Sequence, residues 1–153
     1  MNVDALKEKI LAFVPQAEVI EGKQYPEVTV PAGKLRALAK ELKESDETYF
    51  DYLFNLTAVD WPDQSLGVVY HLTSSKHHHY LVLKVKAANR ETPVIDTVSD
   101  IWRTAEFHER EAYDLMGIQF KNHPDMRRIF LEENWVGHPL RKDYNDEINI
   151  VER

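Results

Sequence analysis

The stretch His79-Tyr80-Leu81-Val82-Leu83-Lys84-Val85-Lys86-Ala87 constrains the fold more than any other part of the chain. Successive side chains on a strand point to opposite faces, so Tyr80, Val82, Lys84 and Lys86 share one side. His79, Leu81, Leu83 and Val85 share the other. One side is a core face and the other carries two lysines, which predicts a half-solvated strand of an antiparallel sheet. Gly67–Thr73 is its natural partner across the polar turn Ser74-Ser75-Lys76, and Tyr49–Val59 is a third β-rich stretch. Glu18–Ile20 and Glu27–Val30 are expected to be short strands joined through Gly22, with Tyr25-Pro26 suggesting a sheet edge.

The apolar face of such a sheet needs a cover, and the helical periodicities supply one. Leu6, Ile10, Phe13 and Val14 line one face of a helix over Asp4–Val14 that Pro15 ends. Leu35, Leu38, Ala39 and Leu42 line the inner face of a second helix that opens at Pro31. Helix is expected again around Thr97–Trp102 and from Ala105 to Met116, with Gly117 as the C-terminal cap. The expected architecture is one α+β domain over residues 1–153, a mixed or antiparallel sheet with helices packed on one face. An extended C-terminal segment follows Phe120, and residues 145–153 form a tail.

Composition excludes several function classes. The 153 residues suffice for a core without staples, and there is no cysteine. Disulfides, thiolate zinc, a cysteine nucleophile and iron–sulfur clusters ligated by this chain are therefore ruled out. With 26 acidic against 19 basic side chains the net charge is -7, which argues against a general nucleic-acid binder. The five glycines fall in neither common phosphate-loop spacing. The opening MNVDALKEKILAFV lacks the apolar core of a signal peptide, and no apolar run is long enough to span a bilayer. A membrane role would therefore run through a partner.

Three groups of residues suggest chemistry. In His77-His78-His79, alternation lets at most His77 and His79 share an ion, and a polar turn is the preferred account. His108-Glu109-Arg110-Glu111-Ala112 starts like HExxH, but Ala112 stands where the second ligand is needed. A small hydrolase or metal enzyme would have to use His77, His79, His108 and Glu111. On the helix, Ala105, His108, Ala112, Leu115 and Met116 form one stripe, and Glu106, Glu109, Arg110, Tyr113 and Asp114 the opposite one. Glu106–Arg110 and Arg110–Asp114 are expected as surface pairs. Glu111 projects beside the apolar stripe and would need a buried partner, with Arg127, Arg128 and Arg141 as candidates. A carboxylate that fixes a loop is preferred there over a general acid or base. The corners His123-Pro124-Asp125-Met126-Arg127-Arg128 and His138-Pro139-Leu140-Arg141-Lys142-Asp143 each present cations after a proline, with Trp135 before the second. Aromatic residues with arginine are the composition of protein–protein hot spots.

These residues carry a resemblance. Glu109-Arg110-Glu111, then Asp114-Leu115-Met116, then His123, Arg127 and Ile129-Phe130 fall in one register. They match the signature of the C subunit of respiratory complex I, the proton-translocating NADH:quinone oxidoreductase. Trp135 and Gly137–Tyr144 resemble the family's second landmark, and Asp60-Trp61 is a weaker likeness. The resemblance implies a member of the hydrophilic peripheral arm with no flavin or cluster of its own and no catalytic residue. It implies packing against the quinone-site D subunit and the cluster-bearing subunits. FMN and iron–sulfur clusters in those partners pass electrons from NADH to quinone, on the cytoplasmic face of the bacterial inner membrane. Structural or interface roles are implied for Glu109, Arg110, Glu111, Asp114, His123, Arg127, Arg128, Trp135, His138, Arg141, Lys142 and Asp143. Some relatives carry long extensions or are fused to the quinone-site subunit, and the sequence as given has neither. The equivalent subunit of a membrane-bound hydrogenase, or of a dehydrogenase fed by ferredoxin, would share these segments.

Overall fold

A computed structural model describes residues 3–144. Helix α1 (Val3–Phe13) is followed by strands β1 (Glu18–Ile20) and β2 (Glu27–Pro31), a single 3-10 turn (Ala32–Lys34) and helix α2 (Leu35–Glu44). Strands β3 (Tyr52–Asp60), β4 (Leu66–Thr73), β5 (Tyr80–Lys86) and β6 (Val94–Asp96) come next, then helix α3 (Ala105–Met116) and strand β7 (Gln119–Lys121). The tail expected at 145–153 lies outside the described residues.

The β4–β5 hairpin is the core of the sheet. Its register sets Val68 opposite Val85, Tyr70 opposite Leu83 and Leu72 opposite Leu81, all on the face turned inward. The turn closes with Ser74 N–H to the His79 carbonyl at 3.1 Å, and His78 adopts a positive φ of 52°. β2 joins β5 in parallel and brings Val28 and Val30 onto the same face, while β3 pairs antiparallel with β4. The order is β1-β2-β5-β4-β3, a mixed five-stranded sheet, and β6 and β7 form a separate parallel pair. An irregularity between Leu53 and Asn55 lets both Leu53 and Leu56 reach the core. Leu6 and Ile10 of α1, Leu35, Leu38, Ala39 and Leu42 of α2, and Ala105 and Ala112 of α3 share one cluster with these strand residues. Each fully buried leucine or isoleucine contributes about 1.5–3 kcal/mol by leaving water. The helices thus cover one face, as the alternation in β5 requires.

Two expectations are corrected. Tyr25-Pro26 does not mark a sheet edge: β1 is the outer strand and β2 lies inside, with the Pro26 carbonyl accepting the Val82 N–H at 3.0 Å. Thr97–Trp102 is not a helix. One turn forms, with Trp102 N–H on the Val98 carbonyl at 2.8 Å and Glu109 on the Val98 N–H at 2.9 Å, and it goes no further because the next bonds, Ala105 N–H to Trp102 and Glu106 N–H to Arg103, already turn the chain into α3. The Trp102 indole N–H is instead drawn to the Phe50 carbonyl at 2.9 Å.

Gly67 marks a place where only hydrogen fits. A Cβ there would stand 2.1 Å from the Val85 carbonyl oxygen and 2.7 Å from the Trp61 ring. Gly67→Ala is therefore expected to weaken the β4–β5 pairing, and Leu83→Ala to cost about 2–5 kcal/mol through the cavity it leaves. Both losses are read from the midpoint and slope of urea unfolding.

Candidate functional site

Helix α3 buries three of its charged side chains. Glu109 and Asp114 are fully buried, and Arg110 and Arg128 nearly so. The charged stripe expected outside faces inward together with Ala105, Ala112 and Met116. The expected Glu106–Arg110 and Arg110–Asp114 surface pairs are replaced by longer-range bonds. Glu111, the acid expected to be buried and paired, is exposed instead. The physical reason lies after the helix: the segment 121–141 wraps over α3 and supplies the groups that make burial tolerable.

Asp114 is the centre of that wrap. Its Oδ2 accepts the N–H groups of Ile129 (3.2 Å), Phe130 (2.7 Å) and Leu131 (3.0 Å). Its Oδ1 accepts from the Arg128 guanidinium at 2.8 Å. Burial pushes the Asp114 carboxyl up, but Arg128 and the three amides outweigh it and hold the group below its ordinary range. Arg128 directs its remaining donors to carbonyls of Asp114 (3.0 Å), Trp135 (2.9 Å) and Gly137 (2.8 Å). Arg110 donates to the carbonyls of Arg127 (3.2 Å) and Arg128 (3.0 Å). His138 Nδ1 donates to the Asp114 carbonyl at 2.9 Å, and its ring lies so close to Gly117 that a Cβ there would stand 2.7 Å away. Gly117, with φ +78°, thus serves both as the left-handed cap of α3 and as the seat of His138.

A second buried group sits one turn back. Glu109 accepts the Val98 N–H at 2.9 Å and contacts the Thr97 hydroxyl. Burial outweighs these bonds and pushes its carboxyl up to about 7. His123 Nε2 lies 3.8 Å away, donating to the Glu106 carbonyl at 3.0 Å, while its Nδ1 accepts the Asp125 N–H at 2.9 Å. Burial, and the nearby Glu109 and Asp96, raise the Tyr70 phenol well above its usual range.

The third cluster holds the C-terminal segment. Arg90 grips Asp60 through two bonds of 2.6 and 2.8 Å and approaches Asp143 at 3.3 Å. Arg141 makes two bonds of 2.8 Å to Asp143, whose carboxyl it holds down to about 2. The Lys142 N–H donates to Asp60 at 2.9 Å, and Leu140 N–H to the Leu115 carbonyl at 2.9 Å. Asp60-Trp61 and the Gly137–Tyr144 landmark, distant in sequence, therefore meet. Arg90, which joins them, carried no sequence signal, and neither did Thr97.

Outside the network several apolar side chains are exposed. Val136 is 87% exposed, Phe130 65%, Leu140 62% and Phe107 60%. Arg127 is exposed, with its guanidinium on Asp125 at 3.0 Å, and Lys142 is exposed. Trp135 is half-buried. The hydrolase set is not assembled: the ring nitrogens of His77 and His79 bond the carbonyls of Asp46 and Thr48, whereas His108 and Glu111 line a cleft beside residues 55–58. Among the described residues no group of three His, Asp or Glu side chains is placed to hold an ion. A wider concavity of about 900 Å³ lies on the open face of the sheet, around Tyr25, Phe54, His71 and Tyr80.

Two outcomes are expected. Arg128→Met should destabilise by about 3–5 kcal/mol, because it leaves the Asp114 carboxylate buried without its cation, and should speed amide exchange at 129–131. Glu109 binds a proton in the folded chain below about 7, whereas an unfolded Glu does so only below about 4.3. Its contribution to stability therefore falls as pH rises from about 4.3 to 7, by on the order of 3–4 kcal/mol. Glu109→Gln should flatten that dependence and be relatively more stable at pH 8, as checked by urea unfolding at about pH 5 and 8.

The family model of the respiratory-chain NADH dehydrogenase 30 kDa subunit matches residues 28–148. The NADH-quinone oxidoreductase C subunit of Moorella thermoacetica is 41% identical over 143 residues, 93% of this chain and 95% of its own length. The C subunit of Geotalea uraniireducens is 46% identical over 143 residues, 91% of this chain and 83% of its own. A C/D subunit of Phocaeicola vulgatus is 47% identical over 122 residues, 80% of this chain, and the match spans only 23% of that longer relative. Among solved structures, one of a membrane-bound sulfane sulfur reductase, an archaeal respiratory membrane complex, aligns with a TM-score of 0.72 at 28% identity. That alignment covers 93% of this chain and 85% of the other. The chain belongs to the family of the 30 kDa subunit of respiratory-chain NADH dehydrogenase, the C-subunit type of an NADH:quinone oxidoreductase-like complex.

Proposed function

We propose that this chain is a structural and assembly subunit of the peripheral arm of an NADH:quinone oxidoreductase, with no redox group and no catalytic residue of its own. In this reading FMN and iron–sulfur clusters in partner subunits carry electrons from NADH to quinone, coupled to proton translocation. The chain sits with the quinone-site D subunit and the cluster-bearing subunits on the cytoplasmic side of a bacterial inner membrane. No helix among the described residues is long and apolar enough to cross a membrane, so attachment would run through the complex.

One observation carries the proposal. Arg110 and Asp114 of the signature, with Arg128 beside it, are bonded within the chain and pin the segment after β7, and Phe130, Val136 and Leu140 of that segment are exposed. Burying Asp114 and Arg128 only to display apolar side chains fits a surface made for a partner. The sequence without cysteine fits a member that supports clusters held elsewhere. A relative whose name joins C and D fits the quinone-site subunit as a direct neighbour.

A second reading has its own support. The archaeal neighbour belongs to a sulfane sulfur reductase, so the same fold serves a complex with another acceptor. The equivalent subunit of a membrane-bound hydrogenase or a ferredoxin-fed dehydrogenase is the alternative. NADH-driven and ferredoxin-driven quinone reduction by the native complex separate the two.

The assembly role is tested by co-expression with the quinone-site subunit. The unaltered chain should co-purify with it, and Phe130→Ser with Val136→Asp should weaken the complex at least about tenfold while the chain stays folded. Arg127→Ala probes the surface in the same assay, whereas Arg128→Ala probes the fold. Unchanged affinity in the Phe130/Val136 variant would remove this surface from the interface.

A further inference from the structure

Glu111 and the free edge of β3 carry an inference that rests on the assembly role proposed above and adds the manner of docking. β3 is the last strand of the sheet, and among the described residues only β4 pairs with it. About half of its backbone N–H and C=O groups therefore face away from the sheet. Native edges are usually blunted by charge, proline, a bulge or a cover. Residues 55–58 read Asn-Leu-Thr-Ala, without charge or proline, and the irregularity of β3 lies before them, at Leu53–Asn55.

A cleft of about 120 Å³ lies alongside. All four consecutive residues 55–58 line it. Neighbouring strand residues point to opposite faces, so a cleft that touches all four lies against the strand's edge and not over one face. Its other walls are His108, Glu111, Ala112, Leu115 and Met116 of α3 and Leu140 of the C-terminal segment. Glu111 is exposed there, and among the described residues no hydrogen bond or ion pair holds it. Glu109 and Arg110, its neighbours, are both bonded inside the chain. The C-terminal segment is fastened at the same place, with Leu140 on Leu115 and Lys142 on Asp60 at the end of β3.

We propose that the β3 edge receives an extended segment of the quinone-site subunit as an added strand, with a basic side chain of that segment on Glu111 and an apolar one against Leu140. Main-chain bonds to 55–58 supply the pairing, and the cleft and Glu111 supply the selection. The quinone-site subunit is the occupant because the name of a relative joins C and D in one polypeptide, and this chain's last described residues lie beside the edge. The unpaired Glu111 carboxylate sets the charge of the side chain that meets it.

The test compares amide hydrogen exchange of the full chain alone and in complex with the co-expressed quinone-site subunit. The outward amides within 55–58, those not bonded to β4, should exchange freely in the isolated chain and at least about tenfold more slowly in the complex. Glu111→Lys, an exposed change that leaves the fold intact, should weaken binding at least about tenfold, and Glu111→Gln less. Tight binding of the quinone-site subunit with 55–58 unprotected, or Glu111→Lys binding like the unaltered chain, overturns the strand addition and leaves the assembly role standing. Strong protection of those outward amides already in the isolated chain also overturns it, since the edge is then covered from within. Failure of the unaltered chain to bind the quinone-site subunit overturns both.

Discussion

The buried pair of Asp114 and Arg128 is the interaction on which the rest of the functional surface depends. Two charges taken out of water cost several kcal/mol each, and their attraction offsets this only when every remaining lone pair and proton is used. Here three consecutive amides and one guanidinium fill the carboxylate. Three carbonyls, from Asp114, Trp135 and Gly137, take the donors that the guanidinium has left. The result is a segment with little regular secondary structure after β7 that is nonetheless pinned from 127 to 138. A hydrophobic contact could bury the same area, but it would not fix the path of an irregular backbone, because dispersion is not directional.

The same logic runs through the neighbouring clusters. Arg110 closes the carbonyls of Arg127 and Arg128, and the Asp60–Arg90–Asp143–Arg141 chain ties the end of β3 to the C-terminal segment. Each cation reaches across a long sequence separation to satisfy backbone or carboxylate groups that the fold would otherwise leave orphaned. Glu109 departs from the pattern. It is buried beside His123 and Tyr70 without a full cation, so burial raises its carboxyl where Arg128 lowers that of Asp114. Two acids five residues apart on one helix thus differ in charge state near neutrality because of what faces them.

Legibility in the sequence followed the range of the forces involved. The helix Ala105–Met116 and its cap at Gly117 follow from local pattern, and so do the inner face of α2 and the β4–β5 alternation. The helix expected at Thr97–Trp102 stays a single turn, held by two distant groups that no local pattern contains, Glu109 on the Val98 amide and the Phe50 carbonyl under the Trp102 indole. The orientation of α3 fails for a related reason. A wheel places charges outside by default, since it cannot see that residues 97–98 will meet Glu109 and that the residues after position 121 will return to Arg110 and Asp114. Glu111 and Glu109 therefore exchange the roles that spacing suggests.

By itself the sequence determined the α+β pattern and the strand whose two sides differ. It also excluded cysteine chemistry, and it carried the register of charges that resembles one subunit family. These are local or compositional properties, set by side-chain period and residue identity. Tertiary structure alone decided that β2 runs parallel beside β5, that Arg90 bridges Asp60 to Asp143, and that Asp114 and not Glu111 is the buried acid. Those outcomes depend on where the return segment lies, and a buried charge is tolerable only where partners from distant positions arrive together.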